Sequence, residues 1–459
     1  MGRPGPLRSD PVDRPGGDVA DRGARGRRGR GGHAVSRSVH GVRRRVPALV
    51  ATAALAVGVV LAPATLPSGL ATLPHAAAAP QAPADCQPGE LIAEEGWAPA
   101  AIGRAAANDV ATGAGVRVAV VDSGVRPDFP HLVGAVEPGR DVVALDPADS
   151  TGTADTFGHG SAVATIIAGR PVEGSALVGI ARDATIVPVR VYYEDDTDAA
   201  EQAGTDPQPG RIAQGIREAS QLDVDIIVVA MSTIQETPDL AVAVDEATAA
   251  GSLVVASMGN VENADADPTR PRYPAALPGV LAVGAYDEGF AEVNAYRGAH
   301  ADVGGPGVGI LATGRSGGDC RMGTAAAATS WATAHVAGVA ALVAQAHPDE
   351  TPAQWAYRIT ATAARSVPEE RSDLVGWGLV QAADAIAFVD DGSARGPVSD
   401  AVPALPSPPV VTEPVTITAY PDRWATARST LGWWALGAAV VVAGSLIVAR
   451  TPRGRGPAS

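Results

Sequence analysis

The sequence predicts an α/β domain with a mostly parallel sheet covered by helices on both faces, followed by one C-terminal transmembrane helix. Short runs rich in Val and Ile alternate with Ala-rich stretches along the middle of the chain. Apolar strands separated by helices are typical of a parallel sheet that is buried between two helical layers. A separate apolar run near the C-terminus carries no charge and approaches the roughly 20 residues that a membrane helix needs.

Five strands and five main helices are expected in the domain. The strand candidates are Val116–Val121, Thr185–Val191, Asp225–Ala230, Ser252–Ala256 and Val280–Gly284. The helix candidates are Gly160–Ala168, Arg211–Ser220, Leu240–Ala250, Trp331–Ala346 and Pro352–Ala364. In sheets of this kind, functional sites form beyond the carboxyl ends of the strands.

The rest of the chain is divided by composition. Residues 1–79 are predicted to be an Arg-rich leader and signal peptide, because Arg43–Arg45 precede an apolar run and the small residues Ala76–Ala79. An uncleaved N-terminal anchor is the alternative. The remaining segments are an N-terminal extension at 80–105, the globular domain at 106–391, a Pro-rich linker at 392–430, the transmembrane helix at 431–449 and a basic tail at 450–459.

The C-terminal run is predicted to cross the cell membrane once. Trp433 and Trp434 stand at its start, where interfacial aromatic residues belong, and Arg450 and further arginines follow its end. Basic residues favour the cytoplasmic side, so the tail is expected in the cytoplasm and the domain outside the cell. A buried core helix is the alternative, but the terminal position and the arginines count against it.

Charge and cysteine content restrict the partners. The net charge is −15, and most of the acidic residues lie between Glu90 and Asp391. An acidic domain argues against nucleic acid as a partner, which requires a basic surface. Cys86 and Cys320 are the only cysteines, which excludes a CxxC zinc site. No metal site and no cofactor is predicted. In an oxidising compartment, the even count favours one disulfide over two unrelated thiols.

Two short motifs supply a carboxylate and an imidazole for nucleophilic acyl transfer. Asp122 ends the first predicted strand in the sequence Asp-Ser-Gly, where it can be held away from water. His159 stands between two glycines at the start of a predicted apolar helix. Alone, either residue would be more typical of a turn or of the structural core. Their order and context favour a paired function.

Two further residues complete the set that this chemistry needs. Ser330 is predicted at the amino end of a long Ala-rich helix, where unpaired N–H groups and the helix dipole favour negative charge. An N-cap is the ordinary role of a serine at such a position. Asn260 follows a buried strand in the sequence Ser-Met-Gly-Asn, and its amide can donate to an oxyanion.

Together, these motifs resemble the subtilisin-type serine peptidases in kind and in order. The resemblance covers roughly Gly96–Ala387 and implies a subtilisin-like fold. It also implies that Asp122 orients His159, that His159 is general base and then acid, and that Ser330 is the nucleophile. Asn260 then completes the oxyanion hole with the N–H of Ser330.

The layout of the whole chain resembles the mycosins, membrane-anchored subtilisin-like peptidases associated with type VII secretion. The shared features are the signal peptide, the peptidase domain, the Pro-rich linker, one C-terminal helix and a short basic tail. The resemblance implies an endopeptidase that cleaves polypeptides of the cell envelope or secreted proteins. It implies the type VII secretion machinery as a partner.

Family resemblance also places the substrate, as an added strand against two edge segments. One segment contains Ser232, Thr233 and Ile234, and the other is Ser257–Gly259, which includes Met258. Ile234 and Met258 carry side chains where small residues would leave a deep pocket. We therefore expect a preference for Ala or Gly at P1, the residue before the scissile bond.

Departures from the family pattern leave two alternatives. Ala328 and Ala334 replace a glycine and a proline that the family usually has around the nucleophile. A methyl group at Ala328 would crowd the turn if the backbone there needed a positive φ. This favours a catalytically weak or inactive subtilisin fold that acts as a structural component of a secretion complex, whereas the complete triad favours the peptidase.

An esterase is a third possibility, which does not depend on these departures. The G-x-S-x-G segment Gly314–Gly318 is predicted to be a tight turn and not a nucleophile elbow.

Overall fold

A computed structural model describes residues 86–450 apart from 145–148, 194–202, 262–266, 294, 325–327, 404 and 406–421. The predicted leader and signal peptide at 1–79, the first residues of the extension, much of the linker and nearly all of the basic tail lie outside the described residues. The predictions for these segments therefore stay predictions.

The described part of the domain contains a seven-stranded sheet in the order β2-β3-β1-β4-β5-β6-β7, with every neighbouring pair parallel. The strands are β1 Arg117–Asp122, β2 Arg140–Asp141, β3 Thr185–Arg190, β4 Ile226–Val229, β5 Leu253–Ser257, β6 Val280–Tyr286 and β7 Val303–Pro306. Two further strands, β8 Ile310–Thr313 and β9 Asp319–Met322, form an antiparallel hairpin. All five predicted strands are present, and β2, β7 and the hairpin were not predicted.

Helices cover both faces of this sheet. They are α1 Trp97–Ala101, α2 Arg104–Asn108, α3 His159–Ala168, α4 Pro209–Ser220, α5 Pro238–Ala249, α6 Thr329–Ala346, α7 Pro352–Thr362 and α8 Ala382–Ala387. A further helix, α9 Ala425–Arg450, follows the domain. Successive side chains of a strand point to opposite faces. In β1, Val118 and Val120 therefore pack in the layer of α3 and α6, whereas Ala119 and Val121 pack in the layer of α4 and α5. The predicted α/β fold is confirmed.

The segment Gly314–Gly318 is the turn of the β8–β9 hairpin. The N–H of Gly314 donates to the carbonyl of Gly318 at 2.8 Å, and the N–H of Gly317 donates to the carbonyl of Gly314 at 3.0 Å. Strand β9 follows directly, where a nucleophile elbow would require a helix. The segment therefore does not support the esterase alternative.

A disulfide joins the N-terminal extension to the hairpin. The sulfur atoms of Cys86 and Cys320 are bonded, and their Cα atoms lie 5.7 Å apart. Cys320 belongs to β9 and is fully buried in the layer that also contains α6. The extension is thus held against the same layer as the helix that begins with Thr329.

Asp319, the neighbour of Cys320, fixes the same region through buried polar contacts. Its Oδ1 lies 2.9 Å from Nε2 of His131, and the side chains of both residues are 1% exposed. Its Oδ2 accepts from the N–H of Ile92 at 2.8 Å and from the hydroxyl of Ser175 at 2.5 Å. One carboxylate therefore holds donors from three separate segments, including the N-terminal extension.

The C-terminal helix α9 begins earlier than predicted. Its apolar span covers Ala425–Ile447, whereas the prediction placed the membrane helix at 431–449. The helix is long and apolar enough to cross a membrane, and none of its apolar window is buried in the described structure. The alternative of a buried core helix is therefore wrong.

Replacing Asp319 with Ala should destabilise the domain strongly. The change leaves the buried ring of His131 and the half-buried donors of Ile92 and Ser175 without their acceptor. Removing one partner of a buried pair typically costs about 3–5 kcal/mol. For a domain of this size we expect the Tm to fall by about 10 °C. Asp128→Ala is the control, since Asp128 pairs with Arg126 at the surface and is 62% exposed. Similar, small shifts for both variants in thermal unfolding would contradict this interpretation of Asp319.

The carboxyl group of Asp302 should make stability depend on pH. It accepts the N–H of Ala282 at 2.9 Å, and burial raises the pKa of Asp302 to about 6. The protonated form is favoured by folding, so this contribution is complete below about pH 4 and is lost as the pH rises through about 6. Asp302→Asn keeps an acceptor for Ala282 and should remove about 2–3 kcal/mol of pH dependence between these values. Parallel stability curves for wild type and variant from pH 4 to 7 would show the assignment to be wrong.

Candidate active site

The carboxyl end of β1 and the amino end of α3 bring Asp122 and His159 together. Nδ1 of His159 lies 2.8 Å from Oδ1 and 3.0 Å from Oδ2 of Asp122. The approach is close because the next residue is Gly160, at which a Cβ would lie 2.1 Å from the carbonyl oxygen of Gly124. A side chain at this position would push the helix away from the strand and separate the two functional groups.

Several hydrogen bonds converge on the carboxyl group of Asp122. Asp122 is fully buried, and its Oδ1 also accepts from the N–H of Ser123 at 2.8 Å and from the hydroxyl of Tyr192 at 3.0 Å. A carboxylate that accepts from several donors is suited to carry the negative charge. Nδ1 of His159 is therefore the nitrogen placed to donate to Asp122, and Nε2 is on the side of the ring that faces away from Asp122.

Ser330 lies at the start of α6, next to a residue that contacts His159. The helix begins at Thr329, so that Ser330 is its second residue and is half-buried. The ring of the following residue, Trp331, lies 4.9 Å from the ring of His159. Ala328 is the N-cap of the helix and makes no side-chain cap bond. Ser330 therefore does not have the ordinary capping role that was the alternative interpretation of this serine.

Asn260 is oriented by the residue that precedes Ser330. Its side-chain oxygen accepts from the N–H of Thr329 at 2.9 Å and from the hydroxyl of Thr329 at 3.1 Å. A backbone N–H can only donate, so the atom that faces it must be the oxygen Oδ1. The Nδ2 group of Asn260 is consequently the donor that remains for another ligand. The hydroxyl of Ser257 lies 2.6 Å from that of Thr329 and stabilises this arrangement.

The two alanines that depart from the family pattern cause no distortion. The backbone of Ala328 is extended, with φ −126° and ψ 123°, so its methyl group meets no conformational strain. The condition under which Ala328 would have crowded the nucleophile is therefore absent. Ala334 lies fully buried inside α6, which continues without interruption to Ala346.

The first predicted substrate segment runs alongside residue 273. The N–H and the carbonyl of Thr233 are both bonded to Tyr273, each at 2.8 Å. The carbonyl of Ser232 accepts from a terminal nitrogen of Arg272 at 3.1 Å. The side chain of Ile234 is 40% exposed, so it does not form an enclosed wall of a pocket.

The expectation for Met258 in the second segment is wrong. Its side chain is fully buried in the layer of α4 and α5, and its N–H donates to the carbonyl of Val283 at 3.1 Å. Gly259 donates to the hydroxyl of Ser257 and accepts from the N–H of Tyr296. Since these backbone groups already have partners, the segment offers a surface and not a free strand edge.

Asp155 was not predicted, yet it holds the start of α3. It is buried and accepts from the N–H groups of Gly158 at 2.7 Å and Ser161 at 2.9 Å. It also accepts from the hydroxyls of Ser161 at 2.7 Å and Ser123 at 2.9 Å. Burial raises the pKa of Asp155, whereas the hydrogen bonds from Ser161, Gly158 and Ser123 oppose that shift. An acidic residue four positions before His159 was the available signal, since acidic groups are favoured at helix starts.

A large cavity lies elsewhere, and its lining does not include Asp122, His159 or Ser330. It has a volume of about 910 Å³. Its lining includes Thr248, Leu253, Val280, His347, Tyr357 and Phe388. Leu253 and Val280 begin β5 and β6, so the cavity is at the amino ends of these strands, whereas Asp122 and Asn260 are at carboxyl ends. Within the described residues, no group of three or more His, Cys, Asp or Glu side chains is placed to hold a metal ion.

Replacing Asp155 with Asn should lower turnover without weakening substrate binding. An amide nitrogen would then face the N–H groups at the start of α3, which should displace His159 slightly. A misplacement of about 1 Å can cost about 100-fold in rate. We expect kcat to fall about 10- to 100-fold with little change in KM, measured on a peptide substrate. Asp128→Asn, at an exposed carboxylate, should leave kcat unchanged. A purely structural role would instead lower Tm and the active fraction, with the kcat of the folded enzyme preserved.

Comparison with known proteins places this geometry in a family. Residues 113–378 match the model of the subtilase family, Peptidase S8. The chain is 35% identical to Mycosin-1 of Mycobacterium tuberculosis over 73% of its own length and 81% of that protein.

Solved structures give the same result. The crystal structure of MycP1 from Mycobacterium smegmatis has a TM-score of 0.54 at 27% identity, covering 69% of this chain and 92% of that one. The structure of the MycP3 protease from the type VII (ESX-3) secretion system has a TM-score of 0.54 at 26% identity, covering 65% and 91%. With its parallel sheet, its paired Asp122 and His159 and this similarity, the chain belongs to the subtilase family of serine endopeptidases.

Proposed function

We propose that Asp122, His159 and Ser330 are the catalytic triad of this endopeptidase and that Asn260 is an oxyanion donor. The observation that carries the proposal is a pair of separate anchors, one at the start of α3 and one at the start of α6. Asp122 holds Nδ1 of His159, while Thr329, the neighbour of Ser330, holds the oxygen of Asn260. In the first pair, Nε2 of His159 faces away from Asp122. In the second pair, Nδ2 of Asn260 faces away from Thr329.

In this mechanism, the hydroxyl of Ser330 attacks the carbonyl carbon of the scissile bond while Nε2 of His159 takes its proton. Asp122 keeps the proton on Nδ1 and stabilises the imidazolium ring. The negative oxygen of the tetrahedral intermediate accepts from Nδ2 of Asn260 and from the N–H of Ser330. That N–H has no partner inside its own helix, because it belongs to the first turn.

Collapse of the intermediate breaks the peptide bond and leaves an acyl group on Ser330. His159 gives its proton to the departing amine. A water molecule then repeats the attack, with His159 first accepting a proton from the water and then returning one to Ser330. The net result is hydrolysis of one peptide bond, with no requirement for a cofactor in any step.

The substrate in this proposal is an extended polypeptide that pairs with the backbone at Ile234. Thr233 supports the pairing from behind, because its backbone groups are bonded to Tyr273. Ser257 and Gly259 line the opposite side. Extended binding suits cleavage of unfolded or loop segments in secreted and cell-envelope proteins.

The setting that we propose is the outer side of a cell membrane, with α9 as a single anchor and the basic tail in the cytoplasm. Support comes from the length and exposure of α9 and from the arginines that follow it. Similarity to the MycP3 protease from the type VII (ESX-3) secretion system supports that machinery as the partner. The inactive-scaffold alternative loses its main support, because Ala328 is unstrained.

A fluorophosphonate probe tests the assignment of the nucleophile. The full-length chain in detergent should be labelled, and Ser330→Ala should abolish the labelling. Asp122→Asn should slow labelling by roughly 10,000-fold, because the amide favours the wrong tautomer of His159.

Ser316→Ala is the matched control, since Ser316 lies in the G-x-S-x-G turn and should not be needed for labelling. The assignment is refuted if Ser330→Ala is labelled as fast as wild type. Loss of labelling in Ser316→Ala, with Ser330→Ala unaffected, would support the esterase instead.

A further inference from the structure

We propose that Arg272 closes the P1 pocket and restricts this peptidase to small P1 residues. The inference rests on the proposed function, since it concerns the same cleft. It assigns the restriction to a residue that lies in neither of the two predicted substrate segments.

The position of the P1 side chain follows from the proposed chemistry. The scissile carbonyl must lie near Ser330 and near Nδ2 of Asn260, and the P1 side chain begins one bond away from that carbonyl. Gly259 immediately precedes Asn260 after β5, and Ser232 follows β4, the strand next to β5 in the sheet. A P1 side chain therefore enters the gap between the segments that contain Ser232 and Gly259.

The side chain of Arg272 occupies this gap. Its Nε donates to the hydroxyl of Ser232 at 3.0 Å, and one terminal nitrogen donates to the carbonyl of Ser232 at 3.1 Å. On the other side, a Cβ placed on Gly259 would lie 3.2 Å from Nε of Arg272 and 2.4 Å from the hydroxyl of Ser232. The guanidinium thus spans the distance between the two segments, and even a methyl group on Gly259 would meet it.

Several contacts hold Arg272 in this position. Its guanidinium carbon lies 4.7 Å from the centre of the Tyr296 ring, which is 8% exposed and forms the far side of the gap. The backbone next to Arg272 is fixed, since Tyr273 is bonded to Thr233 through both of its backbone groups. A planar group with two hydrogen bonds and a ring contact does not swing aside without losing all three.

The contacts also explain why the restriction is steric. The hydrogen bonds to Ser232 and the contact with the ring of Tyr296 hold the guanidinium of Arg272 between the two segments, where it fills the space. A small P1 side chain such as that of Ala, or the absence of one in Gly, fits above the guanidinium of Arg272. The side chains of Leu, Phe or Tyr would have to displace it. The expected preference is the one predicted from Ile234 and Met258, but its cause is different, because Met258 points into the core and Ile234 into solvent.

The test uses the full-length enzyme in detergent and peptides that differ only at P1, with Ala, Leu, Phe, Asp and Asn. Wild type should cleave after Ala and poorly after Leu or Phe. Arg272→Gly should raise kcat/KM for Phe relative to Ala by about 10- to 100-fold, in the range that pocket fit provides. Arg272→Met keeps the length without the charge and should retain most of the preference for Ala. Arg270→Gly, at an exposed arginine in the same segment, should leave the profile unchanged.

Fluorophosphonate labelling separates this inference from the proposed function. If wild type is neither labelled nor active, the proposed function fails, and this inference fails with it. If wild type is labelled but cleaves after Phe as readily as after Ala, only the role of Arg272 is refuted. A marked preference of wild type for Asp over Asn would also overturn the inference, because Arg272 would then act as a receptor for an anion. This wild-type profile decides the matter even if Arg272→Gly fails to fold.

Discussion

The buried negative charge of Asp122 is the constraint that organises the surrounding chain. A carboxylate inside a sheet is stable only when donors surround it, and these donors come from separate elements. Ser123 supplies a backbone N–H, α3 supplies His159, and Tyr192 follows β3, which pairs with β1 up to the register of Asp122 with Arg190. The parallel sheet is therefore the framework that holds these donors in place, beyond its role as a hydrophobic core.

The sequence predicted the fold well wherever strands are long and apolar. Runs of Val and Ile marked the strands that are buried on both faces, and the helices between them followed from the same alternation. Strand β2 was missed because it has only two residues, Arg140 and Asp141, with no apolar pattern. Strand β7 was missed because its sequence Val-Gly-Gly-Pro contains residues that disfavour strands. Its strand conformation comes from pairing with β6, which is a tertiary effect.

Motifs in the sequence identified most residues of the candidate site, but not all of them. Short motifs picked out Asp122, His159, Ser330 and Asn260, because each stands at the end of a strand or the start of a helix. The direction of Met258 was also contained in the sequence, since Val254, Ala256 and Met258 alternate toward one layer of the core. Arg272 was not predictable in this way, because it reaches the cleft from a segment outside both predicted edges. Its placement depends on the pairing of Tyr273 with Thr233, which only the folded chain provides.

The disulfide gives the domain a property that the hydrophobic core does not provide. Cys86 and Cys320 are 234 positions apart, so one covalent loop encloses the sheet strands, Asp122, His159 and Asn260. A single cut in any surface loop within that interval would leave two polypeptides that cannot separate under oxidising conditions. An enzyme of this kind, when exposed to other peptidases, would tolerate nicks that would release half of an uncrosslinked domain. The same molecule would fall into two pieces on a gel only after a reductant is added.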